Sequence, residues 1–290
     1  MNDCGVIYLV LNRPIFMQMC MLSMMSLRKS GYEGRIAVAT DFGADAWRNA
    51  EQGFGQLPSP RFQVIPLDRS SDAQIPEKAY KARLGRVAPF HRTLYLDCDT
   101  IICRSIAPLW NETATIDPPL ALALGRAHTL GSLRRQAPTW ATAEWAETIR
   151  LCGANARHYN SGVIYWASKT AVSKFFAVWE SEAGKDCATD QAPLVRALFL
   201  SNCSPKVLCQ FYNVQNRQKI DLASTVIRHF AGIEPHSAYS RMCALYHSLY
   251  LNQFVRKATD SKYSFGSTTF AGTALISDDN VGIGNLQEGG

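Results

Sequence analysis

Apolar runs of strand length alternate with helical patterns along most of this chain. Gly5 to Leu11 (GVIYLVL) reads as a first strand. Residues 15–30 then place Phe16, Met19, Cys20, Leu22, Ser23, Met24 and Leu27 at the spacing of a helix buried on one broad face. Arg35 to Thr40 (RIAVAT) and Phe62 to Leu67 (FQVIPL) predict a second and third strand, Glu77 to Pro89 a helix, and Thr93 to Asp97 (TLYLD) a fourth strand. Further strands are expected at Leu120–Leu124 and Gly162–Trp166, with helices over 140–152, 170–182 and 190–200. Short late strands are expected near Val207 and over Thr225–His229.

This alternation predicts an α/β fold, a central sheet with helices on both faces. Ligands of such sheets bind outside the carboxyl ends of the strands, so polar residues at strand ends are the first candidates for function. The pattern divides the chain into a main domain over 1–235, a helical extension over 236–257 and a Ser/Thr/Gly-rich, partly mobile tail over 258–290 that ends GIGNLQEGG. The extension (HSAYSRMCALYHSLYLNQFVRK) is basic and aromatic. It can pack Met242, Leu245, Tyr246 and Leu249 on the core, or make peripheral contact with a membrane.

Composition narrows the class. With 47% hydrophobic and 19% charged residues in 290, the chain can bury a sizeable core. A formal charge of +6 is compatible with an anionic ligand and too diffuse for a nucleic-acid partner. The richest apolar run, Pro14 to Leu27, falls short of the about 20 residues a spanning helix needs. Met1 is followed by Asp3 and a strand-like run, which predicts no secretory leader. Nine scattered cysteines without a CxxC pair read as reduced thiols in a cytoplasmic protein.

Asp97-Cys98-Asp99 ends the fourth strand in the context RTLYLDCDTII. In an extended strand the two aspartates point one way and Cys98 the other. Two carboxylates so placed can share Mg²⁺ or Mn²⁺, with open coordination sites for phosphate oxygens. The same two residues also serve as solvated or capping groups in many proteins. A haloacid-dehalogenase-like phosphatase needs Thr two residues after the second Asp, where this chain has Ile101.

The stretch YKARLGRVAPFHRTLYLDCDTIICRSIAPLW resembles the donor-binding segment of glycosyltransferase family 8, members of the GT-A fold with a DxD motif. Further blocks are similar in the family's order. They are Asn160-Ser161-Gly162-Val163, Asp190-Gln191, and His229-Phe230-Ala231-Gly232 as the start of its late "H-x-x-G" motif. The resemblance implies a metal-dependent transfer of a hexose from a UDP-sugar to an acceptor hydroxyl on a saccharide or other molecule, with retention of configuration. It implies Mn²⁺ or Mg²⁺ on Asp97, Asp99 and His229, and Arg83 at the donor sugar and the DxD. Lys81 and Lys78 would help neutralise phosphates or be solvated. Asn160 and Gly162 would line the acceptor side or merely form a turn into a buried strand. Asp190 would bind a sugar or cap a helix, and Gln191 would lie near the anomeric carbon. Asn12 and Asp41, past the first and second strands, are placed where the base and ribose bind.

One departure stands out. The family's late motif continues to a Lys that contacts the diphosphate, and here Pro235 holds that position, with Arg241 or Lys219 as substitutes. A sugar nucleotidyltransferase would need a Gly-rich loop after strand one, where this chain has Asn12-Arg13-Pro14-Ile15-Phe16. A non-catalytic nucleotide-sugar-binding protein of the same fold is the other alternative.

Overall fold

The computed structural model describes residues 4–53, 61–69, 76–115, 117, 119–134, 139–167, 169–185, 187–216, 218 and 220–251. The chain begins with β1 (Cys4–Val10), α1 (Pro14–Lys29), β2 (Arg35–Thr40), α2 (Ala44–Gly53) and β3 (Gln63–Pro66). It continues with α3 (Ala79–Val87), β4 (Arg92–Leu96), β5 (Thr100–Ile102) and α4 (Ala107–Glu112). Next come β6 (Leu120–Thr129), α5 (Leu130–Arg134), α6 (Thr142–Cys152), β7 (Arg157–Ala167) and α7 (Lys169–Ala183). The last elements are α8 (Gln191–Leu200), β8 (Lys206–Val207), β9 (Val214–Gln215), β10 (Ile227–His229) and α9 (Pro235–Tyr246), which a π-helical turn extends to Leu251.

Seven strands form one mixed sheet in the order β3-β2-β1-β4-β7-β6-β8. β3, β2, β1 and β4 run parallel, while β7 is antiparallel to both β4 and β6. Alternation sorts the strand side chains onto two faces. Val6, Tyr8, Leu94, Leu96, Val163 and Tyr165 join one core, to which α1 adds its methionines and α9 adds Met242 and Tyr246. Ile7, Tyr95, Ile164 and Trp166 join the other, under α3, α6, α7 and α8. The apolar side of α9 is therefore used in packing, and its solvent face carries His236, Ser237, Ser240, Arg241 and Ala244. The predicted tail over 258–290 lies outside the described residues. Among the described residues no helix is long and apolar enough to cross a membrane. All nine cysteines are described and are free thiols.

From β1 the chain winds outward through β2 to β3 and then returns to β4 on the other side of β1. Strand order thus reverses between β1 and β4, which opens a crevice at their carboxyl ends. A smaller sheet, β5-β10-β9, stands at that end. Its antiparallel β5–β10 register sets His229 opposite Thr100, one residue past the DxD. The expectation that the DxD continues β4 needs correction. β4 stops at Leu96, and residues 97–99 form a turn into β5, braced by Thr100 Oγ1 donating to the Asp97 carbonyl at 2.8 Å. Strand alternation is therefore not what places the two carboxylates.

α2 was not legible as a helix, since Trp47 is its one fully buried large side chain. On the other side of the sheet, Arg196 of α8 is buried with Glu182 of α7. Its Nε donates to Glu182 Oε2 at 2.6 Å and its Nη1 to Thr148 Oγ1 at 2.9 Å. Glu144 of α6, 3.7 Å from the same guanidinium, accepts the Thr189 backbone N–H at 2.9 Å. The buried pair thus ties three helices to the segment just before Asp190. Removing one partner of a buried pair strands the other charge, a loss of about 3–5 kcal/mol. The exposed Lys185 still reaches Glu182 at 2.5 Å, which places Arg196→Met at about 3 kcal/mol, the lower end of that range. Urea denaturation should show that loss, and Arg196→Met/Glu182→Leu should recover most of it. An equally unstable double variant would show that the pair is not the source.

Candidate active site

The crevice between β1 and β4 is a cavity of about 540 Å³. Leu9, Leu11, Phe16 and Met19 line one wall, and Lys81, Tyr95, Asp97, Asp99 and Asp190 line the other. Ile233 and Pro235 close the rim beside them. At the polar wall, His229 Nε2 lies 3.1 Å from Asp99 Oδ1 and 3.5 Å from Asp97 Oδ2. One ligand atom from each of the three residues falls within 4.8 Å of the others, a spacing that one cation can span.

Backbone contacts hold this cluster. The Asp97 N–H donates to the Gly162 carbonyl at 2.8 Å, and the Phe230 N–H donates to the Asp99 carbonyl at 2.9 Å. β7 and β10 are thereby hooked to either side of the turn. Gly162 is needed for space. A Cβ there would stand 2.1 Å from His229 Cε1 and 2.7 Å from Asp97 Oδ2. The glycine of the N-S-G-V block is thus the floor of the cluster, and its backbone carbonyl is spoken for by Asp97.

Lys81 takes the position expected of Arg83. Its ammonium lies 2.6 Å from Asp190 Oδ2, 3.0 Å from Asp97 Oδ1 and 3.3 Å from Ser161 Oγ, so its three protons have three protein partners. Ser161 Oγ–H donates to Asp190 at 2.7 Å, and Tyr95 Oη–H donates to Asp97 Oδ1. Arg83 instead pairs with Glu180 of α7 at 2.8 Å and lies over the Tyr80 ring. Two helical residues apart is about 200° around the axis, so the two cations cannot face one site. The solvated role considered for Lys81 is therefore corrected. Lys78 is also engaged, donating to the carbonyls of Cys187 at 2.9 Å and of Ala188, which tethers the loop before Asp190.

These contacts set the charge states. Burial alone would lower the Lys81 pKa, but Asp190 and Asp97 outweigh it and raise it. Burial would raise Asp190, yet Lys81 and Ser161 hold its carboxyl below the usual range. Asp99 is likewise held low against burial, by His229 and Lys81. The His229 ring is desolvated, yet Asp99 and Asp97 raise its pKa. Two carboxylates and one imidazole are a donor set that fits Mn²⁺ or Mg²⁺.

The other expected residues divide. Asp190 precedes α8 but makes no side-chain cap bond, so capping does not account for it; Thr189 Oγ1 accepts the Ala192 N–H at 3.2 Å instead. Gln191 is not among the residues lining the cavity, and its Oε1 lies 2.8 Å from His158 Nε2. Asn160 Oδ1 accepts from the Gly162 N–H at 2.9 Å and from Asn213 Nδ2 at 2.8 Å, inside the protein. Asn12 adopts a left-handed φ of 65°, and its N–H donates to the Asp41 carboxylate at 3.2 Å, which also pairs with Arg69. That pair shapes the turn behind Leu11 and does not line the cavity. Arg241 is exposed on α9, and Lys219 lies outside the described residues. The sequence reading missed Tyr95, His158, Ser161 and Asn213. His158 precedes Asn160 by two on β7, so the same-face rule could have found it, whereas Asp97 lies in the turn after β4 and the rule does not reach it from Tyr95. Asn213 lies between β9 and the preceding turn and carries no local signal.

No protein-family model matches this chain, and no curated protein matches it by sequence. Solved structures match by shape. The galactosyltransferase LgtC, in complex with donor and acceptor sugar analogs, aligns at TM-score 0.57 and 15% identity over 85% of this chain and 96% of that one. The bifunctional glycosyltransferase WbbM aligns at 0.57 and 9% over 90% of this chain and 52% of that one. Mouse xyloside xylosyltransferase 1 aligns at 0.52 and 13% over 79% and 98%. The mixed seven-stranded sheet flanked by helices is the GT-A glycosyltransferase fold, as the sequence resemblance implied.

Two tests follow from this geometry. Gly162→Ala should displace His229 and weaken Mn²⁺ binding at least about 10-fold, the scale of losing a ligand's support. Calorimetric titration that found unchanged affinity would contradict the cradle. His158 is buried beside Gln191, and burial lowers its pKa to about 4 from 6.5. The unfolded chain therefore binds the proton first, and stability should fall as pH drops from about 6.5 to 4. The loss is on the order of 3 kcal/mol. His158→Gln should flatten that part of the melting-temperature profile, and an unchanged profile would exclude His158 as its source.

Proposed function

We propose that this protein is a metal-dependent glycosyltransferase that moves a hexose from a UDP-sugar to an acceptor hydroxyl, with retention of configuration. The observation that supports it most is the Asp97–Asp99–His229 cluster, whose two aspartates line a cavity at the reversal point of a GT-A sheet. Hexose, uridine and retention rest on the resemblance to family 8, and the fold supports glycosyl transfer in general.

Asp97, Asp99 and His229 would hold Mn²⁺ or Mg²⁺, which when bound neutralises the negative charge that grows on a leaving diphosphate. The cavity favours such dependence. Among the described residues its lining cations, Lys78 and Lys81, are engaged by protein oxygens, and Pro235 stands where a diphosphate-binding Lys was expected. The apolar wall of Leu9, Leu11, Phe16 and Met19 suits a nucleoside's base. Asp190 lines the cavity as an anion fixed by Lys81 and Ser161, so it can accept hydrogen bonds from sugar hydroxyls. Lys81 positions Asp97 and Asp190 relative to each other. Gln191 and Asn160 would act from behind the cavity wall, and Arg83 acts by holding α3 to α7.

A thermal-shift series with UDP, GDP and UDP-sugars, each with and without Mn²⁺, tests this reading. Ligand at 100 times its dissociation constant adds about 2.7 kcal/mol, enough to read. UDP should stabilise the protein only with Mn²⁺, and Asp99→Asn should abolish that shift while leaving the ligand-free melting temperature within a few degrees. Equal stabilisation without metal, or in Asp99→Asn, would sink the metal assignment. Metal-dependent binding with no donor hydrolysis and no transfer would favour the non-catalytic alternative. The anomeric proton signal of a product reports retention directly.

A further inference from the structure

His229 has two ring nitrogens, and the one without a proton is the one that can bind a cation. Nε2 faces Asp99 and Asp97, whereas Nδ1 lies 2.8 Å from Asn213 Oδ1. That contact alone would not locate the proton, because a side-chain amide can present either its oxygen or its nitrogen.

The ambiguity is removed two residues further back. The backbone N–H of Gly162 can only donate, and its partner at 2.9 Å is the side chain of Asn160. The Asn160 atom at that point must therefore be its oxygen. The same oxygen lies 2.8 Å from the Asn213 amide, so Asn213 must present its nitrogen there. The Asn213 oxygen is then the atom left for His229, and an oxygen at Nδ1 requires a proton on Nδ1. Nε2, which faces the carboxylates, is consequently the nitrogen left to bind a cation. Reversing any one amide would set oxygen against oxygen or N–H against N–H. Asn160, Asn213 and His229 are 3%, 2% and 1% exposed, so water cannot substitute for a lost partner at low cost.

We propose that Asn213, oriented by Asn160 and the Gly162 N–H, is a positioning residue that keeps the His229 proton on Nδ1 and presents Nε2 to a divalent cation. The cation part of this role rests on the metal-site reading above. The proton part does not, because it follows from the fixed donor of one peptide group. The relay also gives the Asn160-Ser161-Gly162 run a purpose. Asn160 starts the chain of amides, Ser161 braces Asp190, and Gly162 supplies both the defining N–H and the space for the ring.

The test uses the full chain with ¹⁵N-labelled histidine, without metal and in alkaline buffer where neutral rings are observed. Long-range ¹H–¹⁵N correlations should show His229 with a protonated Nδ1, whether or not Nε2 also carries a proton toward Asp99. Asn160→Ala makes no change at the ring's own hydrogen-bond partner, yet it frees the Asn213 amide to turn over, so the ring should become a mixture of the two forms. Asn213→Leu should also lose the fixed form, and Asn213→Asp, which keeps an acceptor for Nδ1, should retain it. Titration with Mn²⁺ alone should give dissociation constants raised about 10- to 100-fold in Asn160→Ala and Asn213→Leu. A residue that merely fills space would lower the melting temperature in these variants and leave both the ring spectrum and the relative affinity unchanged. A wild-type ring without a proton on Nδ1 would overturn the proposal whether or not any variant folds. A wild-type ring protonated on Nδ1, with Mn²⁺ affinity unchanged in both variants, would overturn the positioning role. Failure of the wild-type protein to bind Mn²⁺ would overturn that role together with the metal-site reading, and the metal-free spectrum separates this case from the first.

Discussion

Three carboxylates, Asp97, Asp99 and Asp190, meet at the carboxyl end of the sheet, and the Lys81 ammonium and the His229 imidazole lie among them. Like charges this close and this dry repel strongly unless each has a fixed partner. Lys81 links Asp97 to Asp190 with one ammonium, and His229 bridges Asp97 and Asp99 from the other side. Much of the surrounding architecture serves that balance. α3 brings the lysine, the β5–β10 pairing brings the histidine, and the Arg196–Glu182 pair with Lys78 holds the loop that carries Asp190. A cation at Asp97, Asp99 and His229, as in the proposed metal site, would complete the balance.

The site is rigid for the same reason. Its groups sit on or beside strands and helix ends, and each is held by a backbone bond as well as by its charge partner. The turn at residues 97–99 is pinned to β7 through the Gly162 carbonyl and to the end of β10 through the Phe230 N–H. A polar side chain held in this way cannot follow solvent, and its proton positions become properties of the fold. The amide relay behind His229 extends that control three residues deep.

Sequence periodicity located most of the sheet because both faces of its strands are buried, and burial writes an unmistakable apolar run. It did not find α2, β5 or β9, which bury little or are too short for a period to show. The DxD was visible as polar residues at the end of such a run, and the late histidine and the Asp-Gln pair were picked out by their resemblance to family 8 blocks. Lys81 and Arg83 were harder to separate. Both are basic residues on one helix, and only the rotation of α3 against the sheet turns Lys81 inward and Arg83 toward Glu180.

The sequence by itself determined the α/β class, the order of its elements and the chemical character of the cluster, since these depend on local spacing and residue type. The tertiary structure alone decided which groups meet. Gly162 and His229 are far apart along the chain, and nothing local indicates that one must lack a Cβ so that the other can sit against Asp97. Asn213 has no periodic or motif signal, yet its amide faces both Asn160 and His229. Such roles arise from distances of a few ångströms across chain segments, and a residue's neighbours in sequence carry no information about them.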